Sequence, residues 1–157
     1  MAVNPDYAGR TYPACDPYEV SRVKIAEFAA AIGDPNPIYT DPAAARAAGH
    51  PDIIAPPTFP IVIAMASSGE VMADPGLGLN YAMVVHGDQQ FSFARPIAAG
   101  DVIIAQTTIS SIRAAGSLTM LTTETELRTA DGERLGTARS MLVERAADPA
   151  GVSGVSS

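Results

Sequence analysis

The chain has one cysteine, Cys15, so an internal disulfide and a Cys-x-x-Cys metal site are both excluded. Positive charge is scarce too. Nine arginines and one lysine stand against seventeen acidic residues, and none of the ten falls between residues 47 and 94. The net charge of −7 argues against nucleic acid and anionic membranes, which attract basic surfaces. No long uninterrupted apolar run is present. The longest, Ile53 to Ala66, is 14 residues and holds three prolines, too short and too broken to span a bilayer. The start, Met-Ala-Val-Asn-Pro-Asp, lacks a basic segment followed by an apolar one, so no signal peptide is expected and a cytoplasmic location is the default. Internal repeats and an interdomain linker are also lacking. With 157 residues, 47% of them hydrophobic and 17% charged, one globular domain is expected over residues 1–145. Residues 146–157, rich in Ala, Gly and Ser, read as a disordered tail.

The residues that are present arrange themselves around Phe28-Ala-Ala-Ala-Ile-Gly-Asp-Pro-Asn-Pro-Ile-Tyr-Thr-Asp41. Ser21 can cap a helix whose apolar stripe is Val23, Ile25, Phe28, Ala29 and Ile32, and Gly33 is placed to end it. Pro35 and Pro37 then stiffen a turn that holds Asp34, Asn36 and Tyr39 in a defined relation. A site would suit such a turn. So would plain chain reversal, since these are common turn residues. Asp41 can cap a short second helix that Gly49 ends. Residues 59–73 predict a third helix starting near Thr58, because Pro60 fits only a first turn. Its first half is apolar all round, the pattern of a helix buried on every side.

After Gly78 the texture changes to Val, Ile and Thr. Residues 82–93, 102–113, 118–128 and 134–144 predict four long strands, the last three joined by turns at Ala115-Gly116 and Asp131-Gly132. A greasy helix followed by long antiparallel strands has few packing solutions. The expected fold class is α+β: a hot-dog arrangement, a curved antiparallel sheet wrapped around a central helix. Pairing edge to edge with another copy would dispose of an exposed edge strand, so a dimer is expected.

Several motifs together resemble one family. Gly33-Asp-Pro-Asn-Pro-Ile-Tyr-Thr-Asp-Pro42, Ile54-Ala-Pro-Pro-Thr-Phe59, His86-Gly-Asp-Gln-Gln-Phe91 and Arg95-Pro-Ile-Ala-Ala-Gly-Asp101 resemble the MaoC-like (R)-specific hydratases and dehydratases. The resemblance covers about residues 18–145 and is strongest to the N-terminal-type MaoC dehydratase domain. It extends to the non-catalytic subunits of mycobacterial (3R)-hydroxyacyl-ACP dehydratase. It implies an acyl-CoA or acyl-carrier-protein thioester as ligand, a MaoC-like hot-dog partner or second copy, a place in fatty-acid metabolism, and neither cofactor nor metal. It also implies catalytic positions at Asp34, Asn36 and Tyr39, and substrate-binding positions at Pro57, Thr58, Phe59 and His86.

Two of those positions depart from the family pattern. Active members pair the Asp with a His five residues later, whose ordinary pKa of about 6.5 suits proton exchange near neutrality. Here that position is Tyr39, a phenol and a poor base. The family also places His-Gly at the start of the central helix, where a glycine N–H binds the thioester oxygen. This chain has Pro56-Pro57, and proline has no N–H. The Thr58 N–H, aided by the helix dipole, can stand in only in part.

The implied activity is therefore that of a hydro-lyase whose acid–base pair is incomplete. The leading expectation is an acyl-thioester-binding subunit of a (3R)-hydroxyacyl-thioester dehydratase or (R)-specific enoyl hydratase, with catalysis supplied by a partner. One alternative is a non-enzymatic acyl- or lipid-binding homodimer. Another is a hot-dog thioesterase using Asp34. The blander readings are that His86 is a hydrogen-bonded structural histidine, His50 a solvent or helix-end residue, and Cys15 a small packing residue. Glu124 and Glu126 then mark a solvated strand face, and Phe59, Met65 and Met72 are core, although the same surface could line an acyl tunnel.

Overall fold

The computed structural model describes residues 3–145; the expected tail at 146–157 lies outside them. Five antiparallel strands form one curled sheet in the order β1-β3-β4-β5-β2, where β1 is Tyr18–Glu19, β2 Val84–Phe93, β3 Val102–Ala115, β4 Leu118–Thr129 and β5 Arg134–Arg145. Helix α1 is Arg22–Ala31, α2 Pro42–Ala47, α3 Pro60–Ser67 and α4 Gly69–Ala73. The hot-dog arrangement expected from the sequence is present.

Turn chemistry sets the strand register. Gly116 takes φ +61 as the first residue of a two-residue hairpin loop, as a type II′ turn requires. Residues 130–133 connect β4 to β5, with Thr129 N–H donating to Glu133 C=O and Gly132 at φ +97. A bulge at Gly87 breaks the alternation of β2, and a Cβ there would press on the side chains of Val143 and Met141 at 3.0 and 3.2 Å. Because of it, His86 pairs with Leu142 and Gln89 with Ser140. The other predicted punctuation also operates. Ser21 accepts from Lys24 N–H, and Asp41 accepts from Ala43 N–H.

The core has two parts. Phe59, Ile63, Ile25, Ala29, Tyr39, Ile53, Ile103, Ala105 and Leu127 belong to the first. Val71, Leu77, Ile109, Leu121 and, from the N-terminal segment, Val3 and Tyr12 form the second. Each large side chain withdrawn from water in this way contributes roughly 1.5–3 kcal/mol. Where α3 meets β3 and β4 the contact is polar. A chain of buried hydroxyls runs from Ser67 to Thr107 (2.9 Å) and on to Thr125 (2.8 Å).

Two expectations need correction. The apolar stripe of α1 is narrower than predicted: Ile25, Phe28 and Ala29 face inward, while Val23 is 69% and Ile32 48% exposed. The third helix is neither continuous nor enclosed on every side. It breaks at Ser68, where Ser67-Ser68-Gly69 offers three weak helix formers in a row, so α3 and α4 are separate helices. Ile63, Ala64 and Ser67 are buried, but Met65 on the opposite face is 64% exposed. The physical reason is placement. The hydroxyl chain and the first core seat α3 chiefly over β3, and the groove that Met65 lines separates its other face from the β5–β2 wing of the sheet.

A candidate acyl-binding site

The 33–41 turn is built almost wholly from local hydrogen bonds. Helix α1 ends on Gly33 at φ +71, with Gly33 N–H donating to Ala30 C=O and Asp34 N–H to Ala29 C=O. The Asp34 carboxylate accepts from Asn36 N–H at 3.1 Å, and the Asn36 side-chain carbonyl accepts from Ile38 N–H at 3.2 Å. Asn36 thus caps the 3-10 turn Pro37–Tyr39, so its side-chain oxygen is already engaged. Tyr39 is buried, and its phenol is pushed above its ordinary value by that burial, then by the charge of Asp34 and a hydrogen bond to it. A phenol whose proton is held more tightly in this way cannot act as a base near neutrality.

The second family-like segment is bound to the first. Ile54 N–H donates to Ile38 C=O, while Ala55 N–H and Ala99 N–H tie residues 53–55 to the 94–101 loop. That loop is clamped by Arg95, which grips both oxygens of Asp101 at 2.8 and 2.9 Å and both of Glu133 at 2.9 and 3.0 Å. These two carboxylates hold the guanidinium firmly protonated. A surface depression of about 390 Å³ lies against this clamp and His50. Its arginine is spent on the chain's own carboxylates and offers little charge to a ligand. Arg95 and Asp101, conspicuous in the sequence, are therefore fasteners.

The predicted substrate-binding residues separate. Phe59 is fully buried and meets Phe28 edge to face at 5.4 Å between ring centroids, so its ring serves packing. Pro57 and Thr58 are exposed just before α3, with Thr58 C=O accepting from Ile61 N–H. His86 lies elsewhere, on the concave side of β2, where it lines a groove of about 360 Å³ between the helices and the β5–β2 wing. Ile61, Met65 and Met72 form one wall of that groove, Val84, His86 and Leu142 the other, and Thr123 and Ser140 join the lining. Gln89 sits beside it, bonded to the Ser140 hydroxyl. Asp34, Asn36 and Tyr39 do not line the groove. Sequence reasoning missed Ser140 and Leu142. The available signal was their two-residue spacing on β5, in phase with Ala138 on the inward face.

Comparison with known proteins agrees with the fold. The family model described as FAS1-like, dehydratase domain region, matches residues 7–138. The chain belongs to this family. A UPF0336 protein of Thermobifida fusca is 53% identical over 96% of this chain and 99% of its own length. A chain of the HadBC (3R)-hydroxyacyl-ACP dehydratase complex from Mycobacterium tuberculosis is 27% identical, with a TM-score of 0.78 over 88% of this chain and 97% of that one. A MaoC-like dehydratase is 31% identical with a TM-score of 0.83, and this chain spans only 43% of its length. The fold is that of the MaoC-like hot-dog dehydratases, and the chain is related to hydroxyacyl-ACP dehydratase subunits. Among the described residues no helix is long and apolar enough to cross a membrane, and no cluster of His, Cys, Asp and Glu could hold a metal ion.

Proposed function

We propose that this chain is the acyl-thioester-binding subunit of a (3R)-hydroxyacyl-thioester dehydratase or (R)-specific enoyl hydratase in fatty-acid metabolism. A MaoC-like hot-dog partner supplies the proton chemistry. The observation that carries the proposal is Tyr39. It occupies the place of the family's histidine, buried against Asp34 and held protonated. Syn-elimination needs a base to take the C2 proton and an acid to protonate the C3 hydroxyl as it leaves as water. Asp34 alone, engaged by Asn36 N–H and beside a phenol that holds its proton, is one group short of that pair.

What this chain contributes is a place for the acyl chain. The β5–β2 groove is walled by Ile61, Met65, Met72, Val84 and Leu142, and two of its lining residues, Val84 and His86, belong to β2, an edge strand. A partner strand adding to that edge would close the groove from the side. Among the solved relatives, the HadBC complex supports a hot-dog partner. Pro57, Thr58 and His86 then belong to the thioester end: Thr58 N–H at the start of α3, and His86 inside the groove as a hydrogen-bonding group.

The test is hydration of crotonyl thioesters, measured by loss of enoyl absorbance. The expected outcome is negligible hydration by the chain alone and robust hydration when it is co-purified with a MaoC-like subunit, with Asp34→Ala in this chain leaving the complex's kcat within about twofold. Full activity of the chain alone that survives Asp34→Ala would overturn the assignment of roles. Thioester binding without turnover under any pairing would favour the non-enzymatic homodimer. Thiol release abolished by Asp34→Ala would favour the thioesterase.

A further inference from the structure

Glu144 is 7% exposed, and its Oε2 has no hydrogen-bond partner, the only such buried side-chain atom among the described residues. Buried polar atoms in folded proteins are nearly always satisfied, so one left bare calls for a physical account. Its position supplies one. Along β5, Ser140, Leu142 and Glu144 follow each other on the inward face, and the first two line the groove. Across the ladder Glu144 pairs with Val84, which also lines it. Glu144 therefore lies one step beyond the groove's end.

The cover over that end is thin. Tyr81 closes the groove beside Met72, Val84 and Leu142, yet Tyr81 is itself 68% exposed. The other oxygen of Glu144 accepts only from Asn80 N–H, at a long 3.4 Å, and Asn80 is the residue before Tyr81. The side chain and carbonyl of Asn80 are used inside its own turn, by Ala82 N–H and Met83 N–H. Upstream, fully buried Leu77 accepts from Asn4 N–H and anchors the chain. Downstream, β2 begins at Val84. Residues 78–83 bridge these anchors with Gly78 at φ +73, a conformation that lets the chain turn where other residues are strained.

A carboxylate oxygen without a donor raises the free energy of the covered state, and water would satisfy it once the cover lifted. The covered and lifted states are thereby drawn together in energy. Lifting would also extend the groove past Leu142. As it stands, the groove runs from Ile61 to Met72, across the break between α3 and α4. Its volume of about 360 Å³ holds on the order of a dozen heavy atoms, at about 30 Å³ for each water-sized group.

We infer that Glu144 and the 78–83 bridge form a gate at the inner end of the groove, and that this gate sets the acyl length the chain accepts. The inference rests on the acyl-binding reading of the groove. Chains of up to about a dozen heavy atoms bind with the gate down, and longer ones require it to lift.

Two measurements on the full chain test it. Hydrogen exchange of the residue 79–83 amides reads the gate without any ligand. Glu144→Gln keeps an acceptor for Asn80 N–H and removes the buried charge, so exchange there is expected to slow about tenfold, since a neutral amide is the cheaper group to bury. Unchanged or faster exchange overturns the gate. The second measurement is affinity for octanoyl-, dodecanoyl- and hexadecanoyl-CoA. In Glu144→Gln only hexadecanoyl-CoA is expected to weaken, by about tenfold, in step with the exchange. In Tyr81→Ala the same ligand is expected to gain about tenfold, the worth of roughly two further buried methylenes. An unaltered length profile in both variants overturns the gate. If no acyl-CoA binds at all, the reading of the groove fails, and exchange alone judges the gate.

Discussion

The two edges of the sheet are finished in opposite ways. At the β3 edge the N-terminal segment runs antiparallel alongside. Gly9, Tyr12 and Cys15 N–H groups donate to Ile109, Thr107 and Ala105 carbonyls, and Tyr18 and Glu19 complete the cover as β1. The segment is also pinned at its side. Tyr12 donates to Asp74 at 3.0 Å, Arg10 lies 3.5 Å from the same carboxylate, and the Arg10 guanidinium stacks 4.5 Å over the Tyr7 ring. Among the described residues the β2 edge has nothing comparable. Ten residues run from Val84 to Phe93 with no proline and no lysine to discourage pairing, and Val85 and Phe93 are exposed. A sheet with one closed and one bare edge can add a single partner strand and then stop, so an assembly of two is favoured over an open array. The groove lies beside the bare edge and the strap beside the closed one.

The largest effect should come from unpicking the closed edge. Tyr12 is 5% exposed and fills the second core, so Tyr12→Ala should cost about 3–5 kcal/mol in urea unfolding. It should also leave β3 bare, so that species larger than a dimer appear in analytical ultracentrifugation. A stability loss under 1 kcal/mol would mean that the strap is ornamental and the contrast between edges false. Next comes the bare edge itself. Ala94 N–H donates to Leu135 C=O, so in this antiparallel register residues 90, 92 and 94 turn their N–H groups toward β5, while Phe91 and Phe93 turn theirs outward. Phe93→Pro, at an exposed position, removes an outward donor without touching the ladder to β5. Pairing with a second subunit should weaken tenfold or more, about 1.4 kcal/mol, while the melting temperature of the isolated chain stays nearly constant. Unchanged assembly would place the interface on another surface.

Much of this was legible in the sequence because it depends on local chemistry. Gly33, Gly49, Gly116 and Gly132 all carry the positive φ that marks a helix end or turn, and the β-branched runs became strands within a residue or two of their expected bounds. The exposure of Met65 was not legible. Residues 60–66 are apolar on every face, and which face is left bare depends on Thr107 and Thr125, about 40 residues or more downstream, holding Ser67. Glu144 was hidden for a similar reason. A glutamate near a strand end reads as solvated, and only the register with Leu142 and Val84 turns it inward. At the turn, Asp34 and Tyr39 were singled out together and do lie together. Phe59 was grouped with Pro57 and Thr58, but its burial against Phe28 depends on a helix thirty residues upstream.

The smallest expected effect concerns the pin that holds the strap, and its sign follows from linkage. Burial, aided by the hydrogen bond to Asp74 and that residue's charge, pushes the Tyr12 phenol up to about 12, against an ordinary value of 10.0. The folded chain therefore keeps a proton that the unfolded chain loses about two pH units sooner. Over that interval the native state binds more protons than the unfolded one, so stability must fall as pH rises. The contribution is intact below pH 10.0 and fades as pH approaches about 12. Asp74 titrates the other way. Burial pulls its carboxyl up, but the Gly76 N–H, the Tyr12 hydroxyl and Arg10 outweigh that and hold it below its ordinary 3.8, so its share is present above that value and lost on acidification. Tyr12→Phe should remove the alkaline component that belongs to this residue, leaving the parallel and separate contribution of Tyr39, whose phenol is also raised. Melting followed from pH 9 to 12 should show wild type converging on Tyr12→Phe by a few degrees at the top of the range. In hydrogen exchange the Gly9, Tyr12 and Cys15 amides should gain rate, once corrected for intrinsic alkaline exchange, before those paired between β4 and β5. If both sets open together, the strap is one cooperative unit with the sheet, and the closed edge is a strand like the others.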